Sequence, residues 1–495
     1  MIEMRIDRRV ISYSMSRAKR LTCMTAFLVM IQGGCATNPA TGEKYFSLVS
    51  EEREISMGRE ADKEIVASMG LYPDSSLQKY VTNLGMKMAS KSERPDLPWT
   101  FRVVDDPVVN AFALPGGFIY ITRGILAHLN NEAELAGVLG HEIGHVTGQH
   151  SVKRMSTQQL AQIGLGVGMI VKPEWSEYGQ IAGQGLGLLF MKFGRDDESQ
   201  ADHLGLRYMR RAGNDPRQMA GVFEMLNRVS ANSGGGRTPE WLSTHPDPLN
   251  RKEAIRQEID TMRGGFARTA VNAEAYLRGL DGLTFGKNPR EGFSKGSAFY
   301  HPDLKFKLQF PEGWQIVNQQ QSVIAISPQK DATVQLSLSK NSSHEVAGRE
   351  FFAQQGIQGE GLKSRRTHGL PSSSGNFTAT IGQEQVRGVA AFIEYNGAVY
   401  QMLGYCPQTT WSTHVSKIET AVESFDTLTD TKILSAQPMR IRLVKLDRPL
   451  TTTQFFQKYP SPMTEQTLAL INQVDSGATF RSGQIVKRIV GEKFE

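Results

Sequence analysis

The sequence predicts an α+β protein of several domains, mainly helical at first and strand-rich later. Three observations carry this. A chain of 495 residues is too long for one hydrophobic core, so two to four domains are expected. Before about residue 270 the helical readings dominate: residues 50–92 and 131–150 have helical periodicity, and DDESQADHLGLRYMRRAG and RKEAIRQEIDTMRG add two further helices. From about residue 295 the pattern changes to short β-branched and aromatic runs interrupted by two helical pieces, which marks α+β.

The elements follow in chain order. RRVISYSMSRAKR is a basic leader and LTCMTAFLVMI an apolar stretch too short to span a bilayer; together they read as an export signal over residues 1–34. The stretch runs into GGCATNP, which resembles a bacterial lipobox with Cys35 as the acylated first residue of the mature chain, although Gln32 stands where an aliphatic residue is usual. The alternative is an ordinary signal peptide with an incidental cysteine. Ala36, rather than Asp, after the cysteine favours the outer membrane. The net charge of +6 comes mostly from this leader. With its six basic and two acidic residues set aside, 50 basic groups face 48 acidic ones, and nothing in that balance asks for nucleic acid. Of three cysteines, Cys23 lies in the signal, and Cys406 is left alone in a strand-like stretch as a small core hydrophobe.

Residues 50–92 have helical periodicity. FRVV and FIYIT then read as strands, with a Pro-Gly-Gly turn before the second. Residues 131–150 are helical again, capped by Asn130 or Asn131. The Gly-rich apolar run at 158–193 reads as two packed helices or a flap. DDESQADHLGLRYMRRAG is a helix with an acidic first turn, a basic last turn and a terminal Gly. SANSGGGRTPEWLSTHPDPLN reads as loop and RKEAIRQEIDTMRG as helix. The Gly-rich GLTFGKNPREGFSKG is a domain boundary, and a last module starts near residue 438.

Chemistry concentrates in GHEIGHV. On a helix, residues four apart share a face, so His141 and His145 can point two imidazoles at one ion. Glu142 projects near the same space and can take a proton from a water held there. A catalytic zinc needs a third protein ligand. ESQAD places Glu198 and Asp202 four apart on another helix: Glu198 can complete a His-His-Glu set, and Asp202 can accept the second N–H of a ligand histidine. The bland alternatives are two capped surface histidines and a solvated acid at a helix start. The two motifs together weigh against both.

VNAFALPGGFIYITRGIL, ELAGVLGHEIGHVTGQH, DDESQADHLGLRYMRRAG and STHPDPLNR, in this order, resemble the zinc metalloprotease family that contains the CAAX-prenyl protease, HtpX and the periplasmic BepA. The opening CATNPATGEKYFSLVSEEREISMGREAD is similar to its exported, BepA-like members. The resemblance covers about residues 35–265. It implies a gluzincin site with one Zn2+ on His141, His145 and Glu198, Glu142 as base and acid, and Asp202 behind a ligand. It implies that Asn110, Ala111, Phe112 and Ala113 belong to an edge strand that pairs with the substrate backbone. His245 sits where these relatives carry a loop histidine that can cover the zinc as a fourth ligand; the alternative is a loop histidine without a metal role. Arg251 follows at the family spacing, as a substrate or oxyanion contact or as a helix-start arginine in an ion pair. His128, His150 and His203 are read as structural.

BepA-like proteins usually end in a tetratricopeptide array, and no repeat of that period is present here. Residues 295–432 faintly resemble a PsbP/Mog1-like α/β sandwich and 438–495 a LysM module. The expected organisation is therefore a signal at 1–34, a zinc metallopeptidase domain at 35–270, the sandwich at 295–432 and the small module at 438–495. The expected function is a periplasmic zinc endopeptidase anchored to the inner leaflet of the outer membrane. Unfolded or misassembled envelope proteins are its expected substrates and peptidoglycan a further contact, with no nucleic acid. The alternative of another class is a non-proteolytic chaperone or assembly factor with a latent zinc site.

Overall fold

The computed structural model describes residues 35–164, 192–232, 240–246, 248–263, 265–382 and 384–494. The expected signal at 1–34 and most of the Gly-rich stretch at 158–193 lie outside the described residues. Among the described residues no helix is long and apolar enough to cross a membrane.

A short hairpin, β1 (Cys35–Thr37) with β2 (Lys44–Phe46), opens the described chain. Helices α1 (Glu51–Met69) and α2 (Ser75–Ala89) follow, capped by Ser50 and Asp74. Strands β3 (Thr100–Val104), β4 (Ala111–Leu114) and β5 (Phe118–Thr122) form a sheet of order β3-β5-β4, which leaves β4 on an edge. Helix α3 (Arg123–His128) leads into α4 (Glu132–Thr147), the helix that holds GHEIGH. Asn131, rather than Asn130, caps α4, its side chain accepting from Glu134 N at 2.8 Å. Helices α5 (His150–Gly164), α6 (Arg195–Ala212), α7 (Met219–Asn232), α8 (Glu240–Thr244), α9 (Pro248–Thr261) and α10 (Ala273–Gly279) surround it. The sequence reading of 230–250 as loop is corrected here: Glu240–Thr244 is a helical turn that seats Trp241 in the core. Five residues carry too little periodicity to announce it.

Every residue of α4 from Ala133 to Thr147 is buried. Glycines make this packing possible. A Cβ on Gly144 would meet Ala201 O at 2.7 Å, and one on Gly140 would meet Gly205 O at 3.0 Å. These small positions let α6 lie directly on α4, which brings the ESQAD and HEIGH segments face to face.

The next unit is an antiparallel sheet of seven strands, in the order β12-β13-β14-β15-β11-β10-β9: Ile357–Thr367, Leu370–Ile381, Glu384–Tyr395, Ala398–Pro407, Thr333–Leu338, Ser322–Ile326 and Gln315–Asn318. Helix α11 (His344–Phe352) covers one face of it, through Ala347 and Phe351 against Ala390 and Phe392. Helix α12 (Trp411–Glu423) and a four-stranded sheet of β6 (Phe293–Lys295), β7 (Ala298–His301), β8 (Phe306–Gln309) and β16 (Asp426–Thr427), which holds Phe299 and Phe306, cover the other, against Val389, Ala391 and Ile393. Strand β14 is therefore buried on both faces and reads as a continuous apolar run. Strands β12 and β13 went unseen in the sequence because β12 is almost wholly exposed and its SRRT carries no alternation. Cys406 is buried in β15 as a free thiol.

In the last module β17 (Arg440–Lys445) pairs with β20 (Ile485–Val490) and β18 (Leu450–Thr451) with β19 (Thr479–Phe480), with helices α13 (Thr452–Lys458) and α14 (Glu465–Ile471) between them. Ile441, Leu443, Leu470 and Ile485 pack into or against the same core as α4. Backbone bonds from Gly282 N to Ile441 O and from Ile441 N to Leu283 O, both 2.8 Å, tie the segment after α10 to β17.

Candidate metal centre

Four donor groups converge under α8. His141 and His145 come from one face of α4, Glu198 from the first turn of α6, and His245 from the residue that follows α8. All four are buried, and their donor atoms lie within 4.8 Å of one another. Nε2 of His141 is 3.0 Å from Nε2 of His145, 3.2 Å from Nδ1 of His245 and 3.5 Å from Oε2 of Glu198. Oε1 of Glu198 is 2.9 Å from Nδ1 of His245 and 3.6 Å from Nε2 of His145. A tetrahedron of 2.0–2.1 Å bonds has edges of about 3.4 Å, so this donor set fits a small four-coordinate cation.

The groups behind the donors fix their tautomers. Nδ1 of His141 lies 2.9 Å from Oδ1 of Asp202, so its N–H donates there and its Nε2 lone pair faces the centre. His150 does the same for His145. Nε2–H of His150 donates to Gln200 Oε1 at 2.9 Å, which leaves His150 Nδ1 to accept from His145 Nδ1–H at 2.8 Å. Reading His150 as merely structural missed this contact. The helix ends at Thr147 and Gln149 turns at φ +54°, so His150 folds back beside His145, where no helical wheel places it.

Arg251, on α9, lies buried in ion pairs: Nη2 to Asp202 Oδ1 at 2.7 Å and Nη1 to Glu198 Oε2 at 2.6 Å. The ion-pair alternative describes its geometry. Its guanidinium also lies 4.6 Å from the Phe223 ring centroid and 5.1 Å from that of Trp241. Trp241 stacks on His245 at 4.7 Å and Phe193 on His145 at 4.1 Å, two aromatic covers that no sequence pattern announces.

The electrostatics follow burial first. Burial, then the neighbouring histidines, hold His145 well below the usual imidazole range. Burial works against ionised Glu198 and Asp202, but His245 and Arg251 outweigh it for the first and Arg251 for the second, so both are lowered. Burial likewise opposes protonation of His245, yet Glu198 raises it. Oε1 of Glu142 is buried with no hydrogen-bond partner among the described residues and lies 3.9 Å from His245 Nε2. An orphaned buried carboxylate oxygen is costly unless something else meets it.

The other residues singled out in the sequence lie as follows. Asn110 precedes β4, its N–H donating to Thr122 Oγ1 at 3.1 Å. Ala111, Phe112 and Ala113 lie on β4, and Ala113 and Leu114 line a crevice with His145, Val146 and Gln149. His128 is buried with Nδ1 on Gly124 O, and His203 sits at the surface on Glu258. Cys35 begins β1.

Residues 75–259 match Peptidase family M48. The "Beta-barrel assembly-enhancing protease" of Escherichia coli (strain K12) is 31% identical over 238 residues, covering 46% of this chain and 48% of the relative. The "Mitochondrial metalloendopeptidase OMA1" of Arabidopsis thaliana is 32% identical over 187 residues, covering 37% of this chain and 36% of the relative. The chain thus spans about half or less of the curated relatives it matches at this level. A solved structure of cyanobacterial PsbP (CyanoP) from Synechocystis sp. PCC 6803 is similar over 28% of this chain and 95% of its own, at 15% identity and a TM-score of 0.23. The matched segment holds all four donor residues, His141, His145, Glu198 and His245.

Proposed function

We propose, from the premise that residues 75–259 form a domain of peptidase family M48, that this protein is a zinc-dependent endopeptidase of the bacterial envelope. The observation that carries the reading is the buried convergence of His141, His145, Glu198 and His245 beside the unpartnered Oε1 of Glu142. His141, His145 and Glu198 would hold the zinc. When bound, it supplies Lewis acidity toward a carbonyl and lowers the pKa of water.

The chain's own residues do the rest. Asp202 and His150 orient the two imidazoles. Glu142 Oε1 accepts the proton of the attacking water and returns it to the leaving amine. The open edge of β4, with Asn110 just before it and Ala111, Phe112 and Ala113 on it, takes an extended substrate as an added strand, beside the crevice shared with His145. Arg251 keeps Glu198 and Asp202 ionised. His245 would be a fourth donor and would keep the site closed until α8 moves.

We divide the chain into an export signal (1–34), a peptidase domain (35–270), a sandwich domain (295–432) and a small module (438–495). Cys35 would carry a lipid anchor to the outer membrane, misfolded or misassembled envelope proteins would be substrates, and the last module would offer a contact to peptidoglycan. The similarity to a protease whose name ties it to β-barrel assembly supports the envelope setting. His245 among the donors also favours a second reading, a chaperone with a closed metal site.

The test is cleavage of a casein-type substrate by purified residues 36–495, with Glu142→Gln and His245→Ala variants. Glu142→Gln should lower kcat by about 10²–10⁴-fold. His245→Ala should raise basal activity. Indistinguishable cleavage by wild type and Glu142→Gln would sink the protease reading and favour the chaperone.

A further inference from the structure

The C-terminal module reaches the metal-site helix through side chains that the proposed chemistry does not use. Helix α3 ends one short loop before α4, and the carbonyls of its last three residues and of Leu129, which caps it, lack an intrahelical partner. Each finds a side-chain donor. Tyr276 OH donates to Leu126 O at 2.8 Å. Lys487 Nζ donates to both Ala127 O and Leu129 O at 2.8 Å, and Gln473 Nε2 donates to His128 O at 2.9 Å. Three of these four carbonyls are therefore held from residues 438–494.

Gln473 continues the contact into α4. Its Nε2 lies 2.9 Å from Glu134 Oε2, which also accepts from Asn130 N at 2.7 Å. Glu134 Oε1 accepts from Asn131 Nδ2, and Asn131 caps α4. Lys487 has 0% exposure, an extreme for a lysine in a strand. Asn472 sets its position by pairing with the Lys487 backbone in both directions, at 2.9 Å each. Gln473 adopts φ +54°, a conformation a non-glycine residue holds only where its surroundings over-determine it.

We propose that Lys487 and Gln473 are positioning residues for the peptidase site: the C-terminal module clamps the α3–α4 junction and thereby fixes the register of the helix that carries His141, Glu142 and His145. The module is then an integral part of the peptidase domain, whatever else it contacts. This rests on the metallopeptidase reading for its functional meaning, but the clamp itself is testable without activity.

The experiment uses the full mature chain loaded with zinc. Lys487→Met and Gln473→Leu remove the donors. Asp475→Ala is the control, because it removes the 2.8 Å ion pair from the same module to Arg228 on α7 and leaves α3 untouched. Hydrogen exchange should rise by about tenfold at residues 125–140 in both donor variants, with β10–β15 unchanged. Zinc release to a chelator should quicken by about tenfold, and kcat should fall while KM stays within about twofold. The proposal is overturned if both donor variants match Asp475→Ala in exchange and zinc release. Should Lys487→Met fail to fold, Gln473→Leu alone decides by the same two readouts. Equal activity of wild type and Glu142→Gln would fail the protease reading separately and leave the exchange and zinc-release results standing.

Discussion

The metal-centre region and the seven-stranded sheet domain bury side chains with opposite chemistry. Around α4, seven buried ionisable residues, His141, His145, His150, Glu198, Asp202, His245 and Arg251, are wired to one another. In the sheet domain, the corresponding space holds Phe299, Phe306, Ile393, Met402 and Phe425; Arg365–Glu423 lies at the surface, and the buried His414 reaches outward to a partly exposed Asp331. Apolar burial stabilises without asking for geometry, whereas a buried charge costs several kcal/mol unless its partner is in place. A fold that assembles so many charges in one place is using stability to hold a geometry. That contrast says where the chemistry is and where the scaffold is.

The contrast can be broken in graded ways. Arg251→Leu should do the most harm, about 3–5 kcal/mol, because it leaves Glu198 and Asp202 buried without their counter-charge. Urea unfolding of the metal-free chain measures this, and a loss below 1 kcal/mol would mean that the pairs are incidental. In the other region, Phe392→Ala should cost about 3–5 kcal/mol by opening a cavity between α11 and the sheet. It should leave kcat/KM at the unchanged centre within twofold, so a parallel loss of activity would show that the regions are coupled.

His150→Leu should weaken zinc binding by about 10–100-fold, since His145 loses the partner that fixes its tautomer; competition with a chelator reads this directly. The pH dependence of the clamp is smaller. Burial lowers Lys487 from the usual lysine range to about 7, facing Glu134, which burial raises, and His128, which burial lowers. A lysine depressed in the fold binds its extra proton only when unfolded, so between about pH 7 and 10 its cost is relieved as pH rises. Wild type should therefore gain Tm relative to Lys487→Met over that window; a flat difference would place the Lys487 pKa elsewhere. Removing the exposed Arg365–Glu423 pair should change stability by about 0–1 kcal/mol.

The sequence by itself determined what depends on neighbours along the chain. Helical periodicity placed α1, α2, α4 and α6. The spacing of four put His141 and His145 on one face and paired Glu198 with Asp202. The apolar runs of β14 and β15 announced a buried sheet. It did not show β12 and β13, whose outward positions are polar, or the short α8, which is fixed by Trp241 entering the core.

Tertiary structure alone decided what depends on chain segments meeting. His150 reaches His145 because the helix stops at Thr147 and the chain turns back. Arg251 joins Glu198 and Asp202 only after α9 lies against α6. Lys487 finds Ala127 and Leu129 across 360 and 358 residues of chain. Local pattern encodes faces and periods, because those repeat within a few residues. The partner of a buried charge is set by which faces pack together, and that is written in no single stretch of the chain.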